Sequence, residues 1–173
     1  MKMNKAIDYK NYISDVPDFP KPGIIFRDIS PLLKLHFVDV IEGMSAMFTE
    51  DEWRSIDVVG GVESRGFILG AAMAMQKGKG FVKIRKKGKL PGAIVAREYK
   101  LEYGEAALEM QEGSGRMLIV DDVLATGNTL FAAADIAVRA GYQVLGMAIL
   151  INLASLNEVS WNRISPRCLV EYA

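Results

Sequence analysis

Met117-Leu-Ile-Val-Asp-Asp-Val-Leu-Ala-Thr-Gly-Asn-Thr129 is the stretch on which the fold turns. Four apolar residues, Met117 to Val120, read as a strand buried on both faces. Two adjacent carboxylates, Asp121 and Asp122, follow at its carboxyl end, and then comes a turn of small residues. Leu130, Ala133, Ala134, Ala137 and Val138 recur at helical spacing and mark one face of the next helix. A buried strand feeding a helix through a short turn is half of a parallel β-α-β unit. In such sheets ligands collect outside the carboxyl ends of the strands, where turn amides and a helix N-terminus favour an anion.

Outward from this stretch the same rhythm continues. Asp57 to Gly61 reads as a short strand, Phe81 to Arg85 as the next, and Val144 to Ile151 as another buried one. Phe67 to Met75 is apolar all round, which predicts a buried helix. Phe37, Val40, Ile41, Met44 and Phe48 predict an amphipathic helix over residues 36 to 50, with His36 at its start. Gly78 and Gly141 are placed to end helices, and Asp135 and Arg139 stand four apart on the side of their helix away from its apolar face. The expected fold is α/β, a parallel twisted sheet with helices on both faces. Residues 86 to 116 break the rhythm, with no core strand signal. Tyr99, Leu101 and Tyr103 alternate with Glu98, Lys100 and Glu102, and Ala106, Leu108 and Met110 alternate again after Gly104. That pattern predicts a hairpin standing off the sheet. Its glycines and charges suit a lid; a solvated decoration or a dimer arm fits the residues too.

Composition narrows the classes. At 173 residues the chain has room for one domain, and with half its residues hydrophobic it can bury a core without staples. Lys plus Arg is 21 and Asp plus Glu is 21, so no large basic excess points to a nucleic-acid partner. The longest apolar run, Val144 to Leu153, is about half of the ~20 residues that span a bilayer, and no membrane partner is expected. Met1 to Asp15 is polar and charged, without the apolar core of a signal peptide, so the expected location is cytoplasmic. Cys168, the one cysteine, excludes an intrachain disulfide and reads as buried in a C-terminal strand. His36, the one histidine, excludes multi-histidine metal sites, and no protein-held metal is expected.

The chemistry sits after the buried strand. Thr126 and Thr129 add hydroxyl donors to the turn amides, and Gly127 lets backbone approach a bound group closely. Paired carboxylates beside an anion cradle suit the vicinal hydroxyls of a sugar, and a ribose 5-phosphate satisfies both halves at once. No Gly-x-x-x-x-Gly-Lys-Ser/Thr is present, so the turn is not a P-loop. Gly78-Lys-Gly80 lacks the third glycine of a dinucleotide fingerprint.

With these residues assembled, the segment resembles the 5-phosphoribosyl 1-pyrophosphate (PRPP) motif of type I phosphoribosyltransferases. Other blocks are similar to the adenine-using members of that family. They are Asp18-Phe-Pro-Lys-Pro-Gly-Ile-Ile-Phe-Arg-Asp28, Glu63-Ser-Arg-Gly-Phe67, Arg85-Lys-Lys-Gly-Lys-Leu-Pro-Gly92 and Leu101-Glu-Tyr-Gly104. The five blocks occur in matching order over roughly residues 16 to 153. The resemblance implies a single domain over 1–173, with a small N-terminal hood at about 1–35 and a flexible catalytic loop at about 86–116. It implies transfer of phosphoribosyl from PRPP to adenine, giving AMP and pyrophosphate in purine salvage, with magnesium riding on PRPP. It implies a homodimer in which basic residues complete the neighbouring site.

The same resemblance distributes the roles. Asp121, Asp122 and the run Ala125, Thr126, Gly127, Asn128 and Thr129 are expected to hold PRPP, with Arg65, Arg85, Lys86 and Lys89 on its diphosphate and Lys87 in the same cluster. Main-chain groups of Ile25 and Arg27 would pair with the adenine edge, with Phe26 and Val123 against the base faces. Glu102 would handle a proton near the imidazole ring, and Tyr103 would help close the loop. A non-proline cis peptide is expected at Glu63–Ser64. Asn128 stands where a second glycine is common and Val123 where a leucine is common; Asn tolerates left-handed backbone, so the cradle can survive. Two other readings stay on the table: a 6-oxopurine phosphoribosyltransferase, and a non-catalytic PRPP-sensing regulator.

Overall fold

In the computed structural model, which describes residues 7–101, 104–157 and 159–173, the elements run in strict chain order. They are β1 (Ser14–Pro17), β2 (Ile25–Asp28), α1 (Ser30–Ala46), α2 (Glu50–Ser55), β3 (Val58–Val62), α3 (Arg65–Lys77) and β4 (Gly80–Lys86). Then come β5 (Ile94–Leu101), β6 (Gly104–Gln111), β7 (Gly115–Leu124), α4 (Asn128–Arg139), β8 (Tyr142–Leu153) and β9 (Arg167–Tyr172). The chain divides into two units, one up to Val40 and one from Ile41, the division falling inside α1.

The first unit carries an antiparallel pair, β1 against β2, with Ser14 opposite Asp28 and Pro17 opposite Ile25. Asp18 shapes the connection, its Oδ1 accepting the Gly23 amide at 2.7 Å. The Phe19–Pro20 bond is cis, and Phe19 meets Phe26 edge to face at 5.2 Å. Arg27 pairs with Asp15 across the two strands. Asp28 then opens α1, its Oδ1 accepting the Ser30 amide at 2.9 Å. The predicted helix start at residue 36 is thus corrected to Ser30. His36 lies instead at a kink inside α1 (φ −135°, ψ 31°). Its ring sits half-buried between Tyr12 (4.2 Å, edge on) and Asp39 Oδ2 (3.2 Å from Nδ1).

The second unit is built on a seven-stranded sheet of order β5-β6-β4-β3-β7-β8-β9. Five strands, β4 to β9 in that order, are parallel, as expected of apolar strands joined through helices. The β5–β6 hairpin is antiparallel and joins the edge through Arg85 opposite Glu109 and Lys86 opposite Leu108. The hairpin therefore continues the sheet where the sequence suggested one standing off it. Leu108 and Met110 are fully buried, so this stretch contributes to the core after all.

Met117 and Ile119 pack with Leu130, Ala133, Ile136 and Ala137 of α4 on one face. On the other, Gly70 of α3 lies against Val120. Helices thus cover both faces. Alanines at 132, 133, 134 and 137 let α4 approach the strands closely. α3 is less enclosed than its composition suggested, with Ile68 and Met75 at the surface. Thr49 and Glu52 form a reciprocal capping box on α2, and Trp53 is buried with Nε1 donating to the Ser45 carbonyl at 2.9 Å. Glu52 also receives Arg167 of β9 at 2.5 Å, which ties this helix to the sheet edge.

Candidate active site

β7 runs four residues past the predicted strand and carries Asp121 and Asp122 within it, 7% and 8% exposed. Such burial of two carboxylates demands compensation. Asp121 Oδ1 accepts the Asp122 amide at 2.9 Å, and Asp122 Oδ2 is ion-paired with Arg65. Burial, then the neighbouring Asp122 charge, pushes the Asp121 carboxyl well above the usual carboxylate range. Immediately after β7, residues 125–127 turn the chain into α4, whose N-cap is Gly127 in a left-handed conformation (φ 86°). A Cβ there would lie 2.8 Å from Val159 as well, so both backbone and space require glycine. The Gly127 carbonyl accepts the Phe131 amide at 2.9 Å, and no side chain of the cap competes for the first amides of α4. This is the geometry of an anion site.

The turn has a prop that the sequence did not disclose. Asn157 Nδ2 reaches the carbonyls of Ala125 (2.6 Å) and Leu153 (3.0 Å) and Oδ1 of Asn152 (3.1 Å). No spacing rule links Asn157 to residue 125, so only the fold reveals it. Asn128 is the first residue of α4 and has no positive φ. The tolerance of Asn for left-handed backbone is therefore not needed there; Gly127 alone takes that conformation in the turn. Val123 and the Thr126 and Thr129 side chains are half-buried around the same turn.

A second loop enters from β3. The Glu63–Ser64 peptide is cis, as expected, and Arg65 opens α3. Gly66 sits so close to β7 that a Cβ would meet the Val120 carbonyl at 2.8 Å and Asp121 Oδ1 at 3.0 Å. That contact holds the start of α3 beside the carboxylates. Glu63, directly after β3, gains a role from its geometry. It accepts Lys89 Nζ (2.5 Å), the Lys86 amide (2.9 Å) and Arg85 Nε (3.3 Å). Burial alone would raise its pKa, but these three partners outweigh it and hold the carboxyl at about 2. The predicted cations therefore gather at Arg65 and at 85–89, Arg85 and Lys89 meeting on one carboxylate.

Ile25, Phe26 and Arg27 lie on β2 in the first unit, with Ile25 exposed and the other two half-buried. Glu102 and Tyr103 lie outside the described residues. Among the described residues, no group of three or more His, Cys, Asp or Glu is placed to hold a metal ion. Cys168 is in β9 as expected but only half-buried, and burial raises its thiol to about 11.

The phosphoribosyl transferase domain family matches residues 32–162. The adenine phosphoribosyltransferase of Hydrogenovibrio crunogenus is 49% identical over 162 residues, 93% of this chain and 94% of that one. The crystal structure of adenine phosphoribosyltransferase from Rhodothermus marinus superposes with a TM-score of 0.85 at 42% identity, covering 95% of this chain and 96% of that one. That from Saccharomyces cerevisiae, complexed with D-2,5-dideoxy-2,5-imino-altritol 1,6-bisphosphate and adenine, gives 0.79 at 33% identity over 86% and 88% of the two chains. With paired carboxylates leading into a glycine-capped helix and relatives matched over nearly the whole chain, this protein belongs to the adenine phosphoribosyltransferases, transferases of the phosphoribosyl transferase family.

Proposed function

We infer that the chain transfers the 5-phosphoribosyl group from PRPP to adenine, forming AMP and pyrophosphate in purine salvage. One observation carries the reading: β7 delivers two buried carboxylates near its end, and a short turn then leads to a left-handed glycine that caps a helix. The carboxylates of Asp121 and Asp122 accept the ribose hydroxyls. Amides and hydroxyls of Ala125, Thr126, Gly127, Asn128 and Thr129 take the 5-phosphate. Departure of the diphosphate leaves an oxocarbenium-like sugar, so the protein must stabilise a growing negative charge on the leaving group. Arg65, Arg85, Lys86 and Lys89 supply that stabilisation. Magnesium enters as part of the PRPP substrate and, when bound, shields the diphosphate charge.

The base is assigned to β2, where the backbone of Ile25 and Arg27 offers a carbonyl to the 6-amino group and an amide to a ring nitrogen. A 6-oxo purine would set acceptor against acceptor there. Phe26 and Val123 are assigned to the base as apolar contacts. Glu102 is assigned proton handling and Tyr103 loop closure. The protein is further proposed to act in the cytoplasm as a homodimer whose basic residues complete the neighbouring site. It is one domain in this reading, with a hood at about 1–35 and a catalytic segment at about 86–116. No helix among the described residues is long and apolar enough to cross a membrane.

Incubation with adenine, PRPP and magnesium should yield AMP and pyrophosphate in equal amounts, and a chelator in excess should abolish both. PRPP breakdown without AMP would contradict the reading.

A further inference from the structure

Glu109 is fully buried in β6, although strand alternation with Leu108 and Met110 places it on the hairpin's solvent side. What covers it is the turn that follows β4. Three consecutive amides converge on its carboxylate: Gly88 on Oε2 at 2.8 Å, Lys89 on Oε1 at 2.6 Å and Leu90 on Oε1 at 2.6 Å. Gly88 is left-handed (φ 90°), which curls these N–H groups into a concavity of the kind that binds anions. Here the anion is internal. Burial would raise the Glu109 carboxyl, but the three amides outweigh it and lower its pKa. The Lys87 amide adds a 2.9 Å bond to the Ala107 carbonyl, so the segment is fastened along β6 at four points.

We propose that Glu109 is a positioning residue for diphosphate binding: by holding the Gly88–Leu90 amides it fixes where the neighbouring Lys86 and Lys89 ammonium groups are presented. The inference rests on the proposed reading of this site and deepens it. Because the amide concavity is filled from within, the diphosphate is met by side-chain cations rather than by these backbone donors. Glu63 accepts Lys89 Nζ and the Lys86 amide from the other side, so the basic segment is held between two carboxylates. A carboxylate is required at 109 because a glutamine amide would turn N–H toward one of three N–H donors.

Glu109→Gln should raise the KM for PRPP about tenfold or more and weaken inhibition by pyrophosphate in parallel. Its KM for adenine should stay within about twofold of the wild-type value. A purely structural role would lower kcat with the active fraction and leave both KM values in place; that result would overturn the proposal. Wild-type hydrogen exchange gives a second test without a variant. The Lys89 and Leu90 amides should exchange slowly, and exchange at the rate of an open loop would overturn the proposal even if Glu109→Gln fails to fold. A wild-type chain that forms no AMP overturns the underlying reading and the proposal with it, whereas an active wild type with unchanged PRPP KM in Glu109→Gln overturns the proposal alone.

Discussion

Glu63 shows how much of one side chain's part a sequence discloses and how much it leaves to the fold. Its block was recognisable in the sequence, and the cis bond to Ser64 followed from that resemblance, but nothing in the spacing tied it to Arg85, Lys86 and Lys89. Its pKa is about 2 in the fold against 4.5 for an unperturbed glutamate. A depressed carboxyl stabilises the fold fully above its unfolded pKa and loses that contribution as pH falls through its folded pKa. The window is therefore from about pH 4.5 down to about 2. Denaturant titrations should show Glu63→Gln less stable than wild type at pH 6, with the gap narrowing at pH 3. An equal gap at both values would remove the ionic role. Gly127 stood out in the sequence for close backbone approach, whereas its left-handed place at the start of α4 emerges from the fold. Asn157 and Glu109 did not stand out, since the bonds that matter here, from Asn157 to the Ala125 carbonyl and to Glu109 from the Gly88–Leu90 amides, reach at least 19 positions along the chain.

At the scale of elements, hydrophobic period located most strands and helices, and the differences fell where tertiary contacts or a local cap override it. β7 extends through two aspartates because the Asp122 amide and Arg65 compensate their burial. The hairpin joined the sheet because β6 finds an open edge on β4. α1 begins six residues early because Asp28 caps it, a signal present in the sequence as Asp-Ile-Ser-Pro. α2 is too short to persist by propensity alone and depends on its capping box and on buried Trp53. Thr49→Ala should cost about 1 kcal/mol, lowering Tm by about 2–4 °C, while Thr49→Ser keeps the wild-type value. A Tm for Thr49→Ala equal to wild type would show that Trp53 and the Glu52–Arg167 pair hold this helix without the cap.

For the molecule as a whole, the stretch from Met117 to Thr129 with four further blocks was enough to place the chain among phosphoribosyltransferases, and the family match bears this out. Base choice is the less legible part, because it is assigned to main-chain groups of Ile25 and Arg27, which any side chains could carry. The most direct test offers the purified protein, with magnesium and PRPP, equal amounts of adenine, hypoxanthine, guanine, xanthine and uracil, and separates the nucleotides formed. AMP should be the only nucleotide formed. A 6-oxopurine nucleotide would contradict the assignment of β2 to the base, and no nucleotide despite bound PRPP would make this chain a PRPP sensor rather than an enzyme.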